Sequence, residues 1–312
     1  SYEALLEAAD EHFEFPEDLD ENLPAGLCYT SATTGMPKGV VYTHRSIVLH
    51  SLALGLAESF GLKENDIALP IVPMFHVNAW GFPFAAVNFG VKQIMPGPMF
   101  TPALLLDLIE QYGVTITAGV PTIWMGVLAE QEKLPRDLSS LRLVISGGSA
   151  SPKALIQAYT DKLGINYVNA YGMTETSPLV TMSYPLSTMN DYTKEEIDNL
   201  KVTQGLTVSL IETEVVNENG PVPWDNATMG ELRIRGPWIA SEYYKDDRTA
   251  DAFRDGWLYT GDIAVMTKEG YVKITDRTKD LIKSGGEWIS SVDLENALMS
   301  HPAVFEAAVI AI

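Results

Sequence analysis

Cysteine is almost missing: Cys28 is the single one in 312 residues. That excludes an intrachain disulfide framework. The lone thiol reads as a small buried hydrophobe; a nucleophile would lack a histidine close by in sequence. This usage fits a reducing, cytoplasmic setting. Basic residues are also scarce, with 21 Lys and Arg against 41 Asp and Glu and a net charge of −20. Binding a nucleic-acid backbone needs a basic face, and an anionic membrane surface repels this charge. Residues 1–22 carry nine acids and no Lys or Arg, so they form an acidic lead-in rather than a signal peptide. An acidic interaction arm is a further reading of them, although charge runs are usually solvated faces. The longest stretch without formal charge, Ile67–Val91, is interrupted by Pro70, Pro73 and Pro83 and holds His76, Asn78 and Asn88. It reads as a buried segment that turns repeatedly, not as a spanning helix. No internal repeat or low-complexity tract occurs. The chain opens at Ser1 without Met and stops inside the apolar run Ala308–Ile312, as expected of a piece of a longer protein.

At 46% hydrophobic, the chain can bury a core without a staple, and its length suggests about two domains. Residues 44–60 have helical spacing. Ala103–Tyr112 predicts a helix and Val114–Ala118 a buried strand. Pro152–Leu163 predicts a helix with Ser151 as N-cap, between short strands at Leu141–Ile145 and Ile165–Asn169. This alternation implies an α/β layer with a largely parallel sheet. Three strands run into loops of small or polar residues: 118–122, 146–150 and 170–175. Ligands of open α/β sheets bind at such strand ends. After about residue 205 the pattern alternates, at Val208–Val216, Glu231–Arg235 and Tyr271–Thr275. Turns at Asn219-Gly220, Asp255-Gly256 and Glu269-Gly270 imply an antiparallel sheet or barrel. Ser290–Met299 predicts a helix with Ser290 and Asp293 as a capping pair.

Tyr29-Thr30-Ser31-Ala32-Thr33-Thr34-Gly35-Met36-Pro37-Lys38-Gly39 gathers four Ser and Thr hydroxyls, two glycines and a lysine. Hydroxyls and free backbone N–H groups can cradle phosphate, and Lys38 can neutralise it. A polar surface loop is the plainer alternative. It is not a Walker loop, because Pro37 precedes Lys38 and Gly39 follows it.

This segment resembles the signature of the adenylate-forming superfamily: acyl-CoA synthetases, luciferases of the firefly type and peptide-synthetase adenylation domains. Four further segments match in order: Gly147-Gly148-Ser149-Ala150, Tyr171-Gly172-Met173-Thr174-Glu175, Trp257-Leu258-Tyr259-Thr260-Gly261-Asp262 and the stretch from Asp276 to Glu287. Pro73–Trp80 and Lys283–Ser290 are most similar to medium- and long-chain fatty-acid–CoA ligases. The resemblance implies an acid–thiol ligase with ATP, Mg²⁺ and CoA, acting on small molecules. Its fold would be mixed α/β layers, a β-barrel-like subdomain and the start of a small C-terminal α+β domain.

The resemblance also implies roles. Thr30, Ser31, Ala32, Thr33, Thr34, Gly35 and Lys38 would handle phosphate. Ala32 stands where the family usually has Gly, which stiffens the loop. Gly147, Gly148, Ser149, Ala150 and Tyr171 would hold adenine, and Asn169, Ala170, Gly172 and Met173 would also bind ATP or AMP. Thr174 would donate to the α-phosphate, and Glu175 with Thr30 would bind the metal. Asp262 and Arg277 would hold ribose. His76, Val77, Trp80, Gly119 and Thr122 would line the acyl pocket. Lys279 would be the hinge, with Lys283, Gly285 and Gly286 on the CoA side. Read singly, Tyr171, His76 and Trp80 are equally core residues and Asp262 a turn aspartate. The family's adenylation lysine lies beyond this chain. Expected divisions are an acidic lead-in at 1–22, an α/β part at 23–204, a β-rich subdomain at 205–278, and the hinge with a truncated C-terminal domain at 279–312. An amino-acid-activating domain is disfavoured, because Phe75–Trp80 contains no acid to hold an ammonium. Aryl- or luciferase-like acids, and a non-catalytic binding module, remain alternatives.

Overall fold

The computed structural model describes the chain except residues 32–35, 278–281, 285–286, 290, 300, 302, 305–306 and 311–312, with backbone alone at 2, 282–284, 287–289, 292–293, 296 and 299. A short helix, α1 (Tyr2–Glu7), precedes the hairpin β1 (Pro24–Tyr29) and β2 (Gly39–Thr43). The hairpin brackets the predicted phosphate loop. α2 (His44–Leu54) follows at once, with Thr43 and Ser46 forming a reciprocal cap.

Next come β3 (Ile67–Pro70), α3 (Val77–Trp80), α4 (Phe82–Asn88), β4 (Lys92–Gln93), α5 (Pro102–Tyr112) and β5 (Ile116–Gly119). α6 (Pro121–Lys133), β6 (Leu143–Ser146), α7 (Lys153–Gln157), β7 (Asn166–Gly172), β8 (Leu179–Met182), α8 (Lys194–Lys201) and β9 (Leu206–Thr207) complete this half. The seven-stranded sheet runs β4-β3-β5-β6-β7-β8-β9. Pairing is parallel from β4 to β7 and antiparallel at β8 and β9. The order reverses between β3 and β5.

The parallel strands are apolar on both faces because helices or a second sheet cover each. In β6, Leu143 and Ile145 join the core beneath α2 and α4, while Val144 joins the core beneath α5, α6 and α7. α5 covers the expected Ala103–Tyr112: Thr101 caps it, Pro102 opens it, and left-handed Gly113 closes it at φ 64°. The helix at 152–163 needs correction. α7 starts at Lys153 and passes into a π-helical turn, Ala158–Lys162. Ser151 does not cap it. The Ser151 hydroxyl is buried against Ser146 Oγ at 3.1 Å and the Tyr167 hydroxyl at 3.0 Å, since a buried hydroxyl bonds the partners nearest to it.

The second sheet is antiparallel: β10 (Glu212–Asn217), β11 (Gly220–Pro221), β12 (Gly230–Arg235), β13 (Phe253–Arg254), β14 (Trp257–Met266) and β15 (Val272–Arg277). The short helix α9 (Thr249–Ala252) lies between β12 and β13. The three expected turns join neighbouring strands, with Gly220, Gly256 and Gly270 at positive φ. Val215, Leu232, Ile234 and Ala264 pack into the same core as α2 and α4, which joins the two sheets. The hairpin β16 (Ile282–Ser284) and β17 (Glu287–Ile289) and the helix α10 (Ser291–Met299) close the described part. Ser290, the expected cap, lies outside the described residues, and the Asp293 side chain is not described. Among the described residues no helix is long and apolar enough to cross a membrane.

Candidate functional site

A cleft of about 510 Å³ opens beyond β6 and β7, bordered by the antiparallel sheet. Its walls include Thr30, Ser31, Lys38, His76, Val77, Trp80, Gly147, Gly148 and the run Ala170–Glu175. A smaller pocket of about 230 Å³ adjoins it, lined by Ser149, Ala150, Asn169, Asp262 and Asp276. Gly148, Ala170, Tyr171, Gly172 and Arg277 border both. Segments up to 247 residues apart in sequence, from Thr30 to Arg277, thus meet at one place.

The 30–38 loop is closed at its neck. Thr30 N–H donates to the Lys38 carbonyl at 2.9 Å, and Lys38 N–H donates to Thr30 Oγ1 at 3.1 Å. Ala32, Thr33, Thr34 and Gly35 lie outside the described residues. Lys38 Nζ is 3.4 Å from the Tyr243 hydroxyl and 4.4 Å from its ring centre. Tyr243 donates in turn to Glu175 Oε1 at 2.6 Å. Glu175 and Thr174 are buried, and their backbone is held by the Tyr42 hydroxyl on the Thr174 carbonyl at 2.7 Å and Ala240 N–H on the Glu175 carbonyl at 2.8 Å.

Gly172 is required here, because a Cβ would overlap the Pro178 carbonyl. A Cβ at Gly147 would come within 3.0 Å of the Ala170 carbonyl and 3.2 Å of the Trp80 ring. These glycines let two strand ends and an indole converge.

On the smaller pocket, the Tyr171 hydroxyl donates to Asp262 Oδ2 at 2.6 Å, and Arg277 Nε lies 3.3 Å from Asp262 Oδ1. Asp262 and Arg277 face each other across β14 and β15. Burial pushes the Asp262 carboxyl up, against the lowering effects of Tyr171 and Arg277. Asn169 donates through Nδ2 to the Lys201 carbonyl at 2.9 Å, while its buried Oδ1 has no donor. A purine's exocyclic amine is a donor of the kind this oxygen lacks.

His76 is half-buried, and burial lowers its pKa. It precedes a run of left-handed residues, Val77 to Gly81, with φ between 49° and 67°. Trp80 is buried and lines the cleft. The apolar wall continues to Leu54, Phe60 and Leu179.

Some expected residues are not brought together. Gly119 and Thr122 lie outside both sets of walls. The Gly119 Cα faces Ile71 and Trp124, whose side chains would meet a Cβ at 2.9 Å. Thr122 is exposed on α6. Lys279, Gly285 and Gly286 lie outside the described residues, and for Lys283 only the backbone on β16 is described.

Sequence reading missed Tyr243, Arg248 and Glu231, all in the cleft wall. Arg248 donates to the Met36 carbonyl at 2.9 Å and pairs with Asp246, so it holds Met36 near the far end of the 30–38 segment. No spacing marks a tyrosine in Glu242-Tyr243-Tyr244-Lys245 as functional. Among the described residues, no group of three His, Cys, Asp or Glu could hold a metal alone. One carboxylate suffices for Mg²⁺ when phosphates and water supply the other ligands, so Glu175 fits that case.

Residues 2–244 match the model of AMP-binding enzymes. A long-chain-fatty-acid–CoA ligase of Thermus thermophilus is 50% identical over 313 residues, covering 99% of this chain and 57% of that protein. A medium-chain-fatty-acid–CoA ligase of Ectopseudomonas oleovorans is 44% identical, covering 100% of this chain and 57% of that protein. The chain thus spans 57% of the length of these two relatives. The o-succinylbenzoate CoA synthetase MenE of Bacillus subtilis, solved with its acyl-adenylate intermediate OSB-AMP, superposes with a TM-score of 0.85 at 29% identity, covering 99% of this chain and 60% of that one. The same enzyme with ATP and magnesium ion gives 0.85 at 28% identity, covering 99% and 62%. A family model matched over most of the sequence, and a fold shared from end to end, establish that this chain belongs to the AMP-binding enzyme family.

Proposed function

We propose that this chain is the nucleotide- and acid-binding part of an ATP-dependent fatty-acid–CoA ligase. In the first step a carboxylate oxygen attacks the α-phosphorus of ATP; acyl-adenylate forms and pyrophosphate leaves. In the second, the CoA thiol attacks the acyl carbonyl; the thioester forms, AMP leaves and the thiol proton is released. The observation that carries this reading is the cleft itself. With the pocket beside it, it joins a lysine, a buried carboxylate and a ribose-type Asp–Arg pair to an apolar wall at Trp80, Leu54 and Phe60.

Lys38 offers charge to the terminal phosphates, with Thr30 and Ser31 beside it. The Thr174 hydroxyl donates to the α-phosphate. Glu175 would hold Mg²⁺, whose charge offsets that of the phosphates when it is bound. Tyr171 gives its ring to adenine, and Asn169 Oδ1 accepts from the exocyclic amine. Asp262 accepts from ribose hydroxyls while Arg277 steadies the carboxylate. His76, half-buried and biased toward its neutral form, can donate or accept at the acyl carboxylate without adding charge. The names of the relatives support an aliphatic acid. The chain divides at 1–22, 23–204, 205–278 and 279–312, with Lys279 at the hinge, and it acts in the cytoplasm.

The test is a thermal melt of the chain with Mg²⁺ and a non-hydrolysable dodecanoyl-adenylate mimic, beside aminoacyl and aryl mimics. A ligand that binds only the folded state raises Tm. The largest rise is expected with the dodecanoyl mimic. A larger rise with another mimic overturns the acid assignment, and no rise with any overturns the nucleotide site.

A further inference from the structure

We infer that Tyr243 is a positioning residue that keeps Lys38 and Glu175 from pairing with each other. The inference rests on the nucleotide-binding reading of the cleft. A lysine and a glutamate that share a cleft attract strongly, because low-dielectric surroundings weaken screening. If they met, the ammonium would be lost to phosphate and the carboxylate to a cation.

The phenol stands between them. Its single proton goes to Glu175 Oε1 at 2.6 Å, and its lone pairs face Lys38 Nζ at 3.4 Å. Ammonium and carboxylate therefore share this one hydroxyl as a neighbour. Lys38 also rests over the same ring, 4.4 Å from its centre.

The spacer is held firmly. Tyr243 is 4% exposed and packs edge-to-face on Phe253 at 5.1 Å. Its own N–H donates to Thr249 Oγ1 at 3.0 Å, and the next residue's N–H donates to the Gly39 carbonyl at 2.8 Å. That last bond ties the tyrosine segment to the strand that begins immediately after Lys38. A core tyrosine with no function at the site would not need its hydroxyl at this junction.

Tyr243→Phe keeps the ring and its packing but removes the spacer's oxygen. The probe is Mn²⁺ in place of Mg²⁺, titrated at saturating α,β-methylene-ATP and read by the rise in Tm. We expect the Mn²⁺ midpoint to rise about tenfold in Tyr243→Phe, each rise in Tm being read against that variant's own ligand-free Tm. Adding Lys38→Met to Tyr243→Phe removes the competing cation. The midpoint should then return to within about threefold of the Lys38→Met single variant. An unchanged midpoint in Tyr243→Phe overturns the inference. So does a raised midpoint that Lys38→Met does not relieve, which would leave the hydroxyl a purely structural role. If Tyr243→Phe fails to fold, 4-fluorophenylalanine at 243 fills the same space without a proton and takes its place.

A crystal structure of the same variant tests the geometry without any ligand. Lys38 Nζ is expected within hydrogen-bond distance of the Glu175 carboxylate, and separated groups overturn the inference. Failure of the wild-type chain to respond to nucleotide and Mn²⁺ would sink the nucleotide reading instead, and the crystal structure would still decide the spacing.

Discussion

The Tyr171 hydroxyl donates a 2.6 Å hydrogen bond to Asp262 Oδ2, joining the end of the parallel sheet to the antiparallel one across 91 residues. The bond is charge-assisted and largely shielded from water, so it is worth more than a surface contact. It also presents the ring of Tyr171 and the carboxylate of Asp262 to one pocket.

Tyr171→Phe should therefore lower unfolding free energy by about 1–2 kcal/mol. Asp262 titrates above its ordinary 3.8, with burial the first cause. A carboxyl raised in the folded state loses stability as pH climbs from its unfolded value through its folded one. Ligand binding that needs the carboxylate has the opposite dependence and fails as pH falls through the folded value. Removing the Tyr171 hydrogen bond takes away a lowering influence. Calorimetry with AMP should find affinity failing at a higher pH in Tyr171→Phe than in wild type.

His50 is 1% exposed, accepts from Leu179 N–H at 3.4 Å, and lies edge-on to Trp238. Burial drops its pKa to about 3 from an ordinary 6.5. Below 6.5 the unfolded chain binds a proton that the folded chain refuses, so stability falls as pH falls. The loss from this group should reach about 2 kcal/mol at pH 5. Urea melts should show a smaller drop between pH 7 and pH 5 in His50→Gln. Equal drops would show that His50 does not set this dependence.

Gly172→Ala places a methyl group on the Pro178 carbonyl, between two backbones that cannot give way. A loss of about 3 kcal/mol or more is expected, seen as a large fall in Tm or the absence of a cooperative melt. Gly164→Ala is the control. It has open space but left-handed backbone at φ 68°, so about 1 kcal/mol is expected.

Lys38→Met should weaken ATP about tenfold and leave AMP nearly unchanged, if the ammonium meets only the terminal phosphates. Competition binding with the two nucleotides checks this. An equal loss for both would place Lys38 against the nucleoside or the α-phosphate.

Much of the architecture was legible along the chain. The apolar spacing of Ala103–Tyr112 marked α5, and the apolar runs of β5 and β6 marked strands covered on both faces. The three glycine turns of the antiparallel sheet were equally plain, because they depend on local φ. The hydroxyl of Ser151 was misread for a matching reason. A cap is a local choice, but a buried hydroxyl takes partners from other strands, here Ser146 and Tyr167. Gly119 shows the same limit: its small size serves packing against Ile71 and Trp124 rather than a ligand wall.

The motifs at Thr30–Gly39, Gly147–Ala150, Tyr171–Glu175 and Trp257–Asp262 identified the residue types that phosphate, purine and ribose demand, since those demands fall on short segments. The sequence by itself thus determined the family, the layer type and many of the residues that line the cleft and its adjoining pocket. Tertiary structure alone decided which of them meet. Tyr243 reached Glu175 across 68 residues and Arg248 reached Met36 across 212, and nothing in either one's sequence neighbours signals the contact. Hydrogen bonds and ion pairs act over a few ångströms of space, and the chain brings such groups together only by packing two sheets on one core.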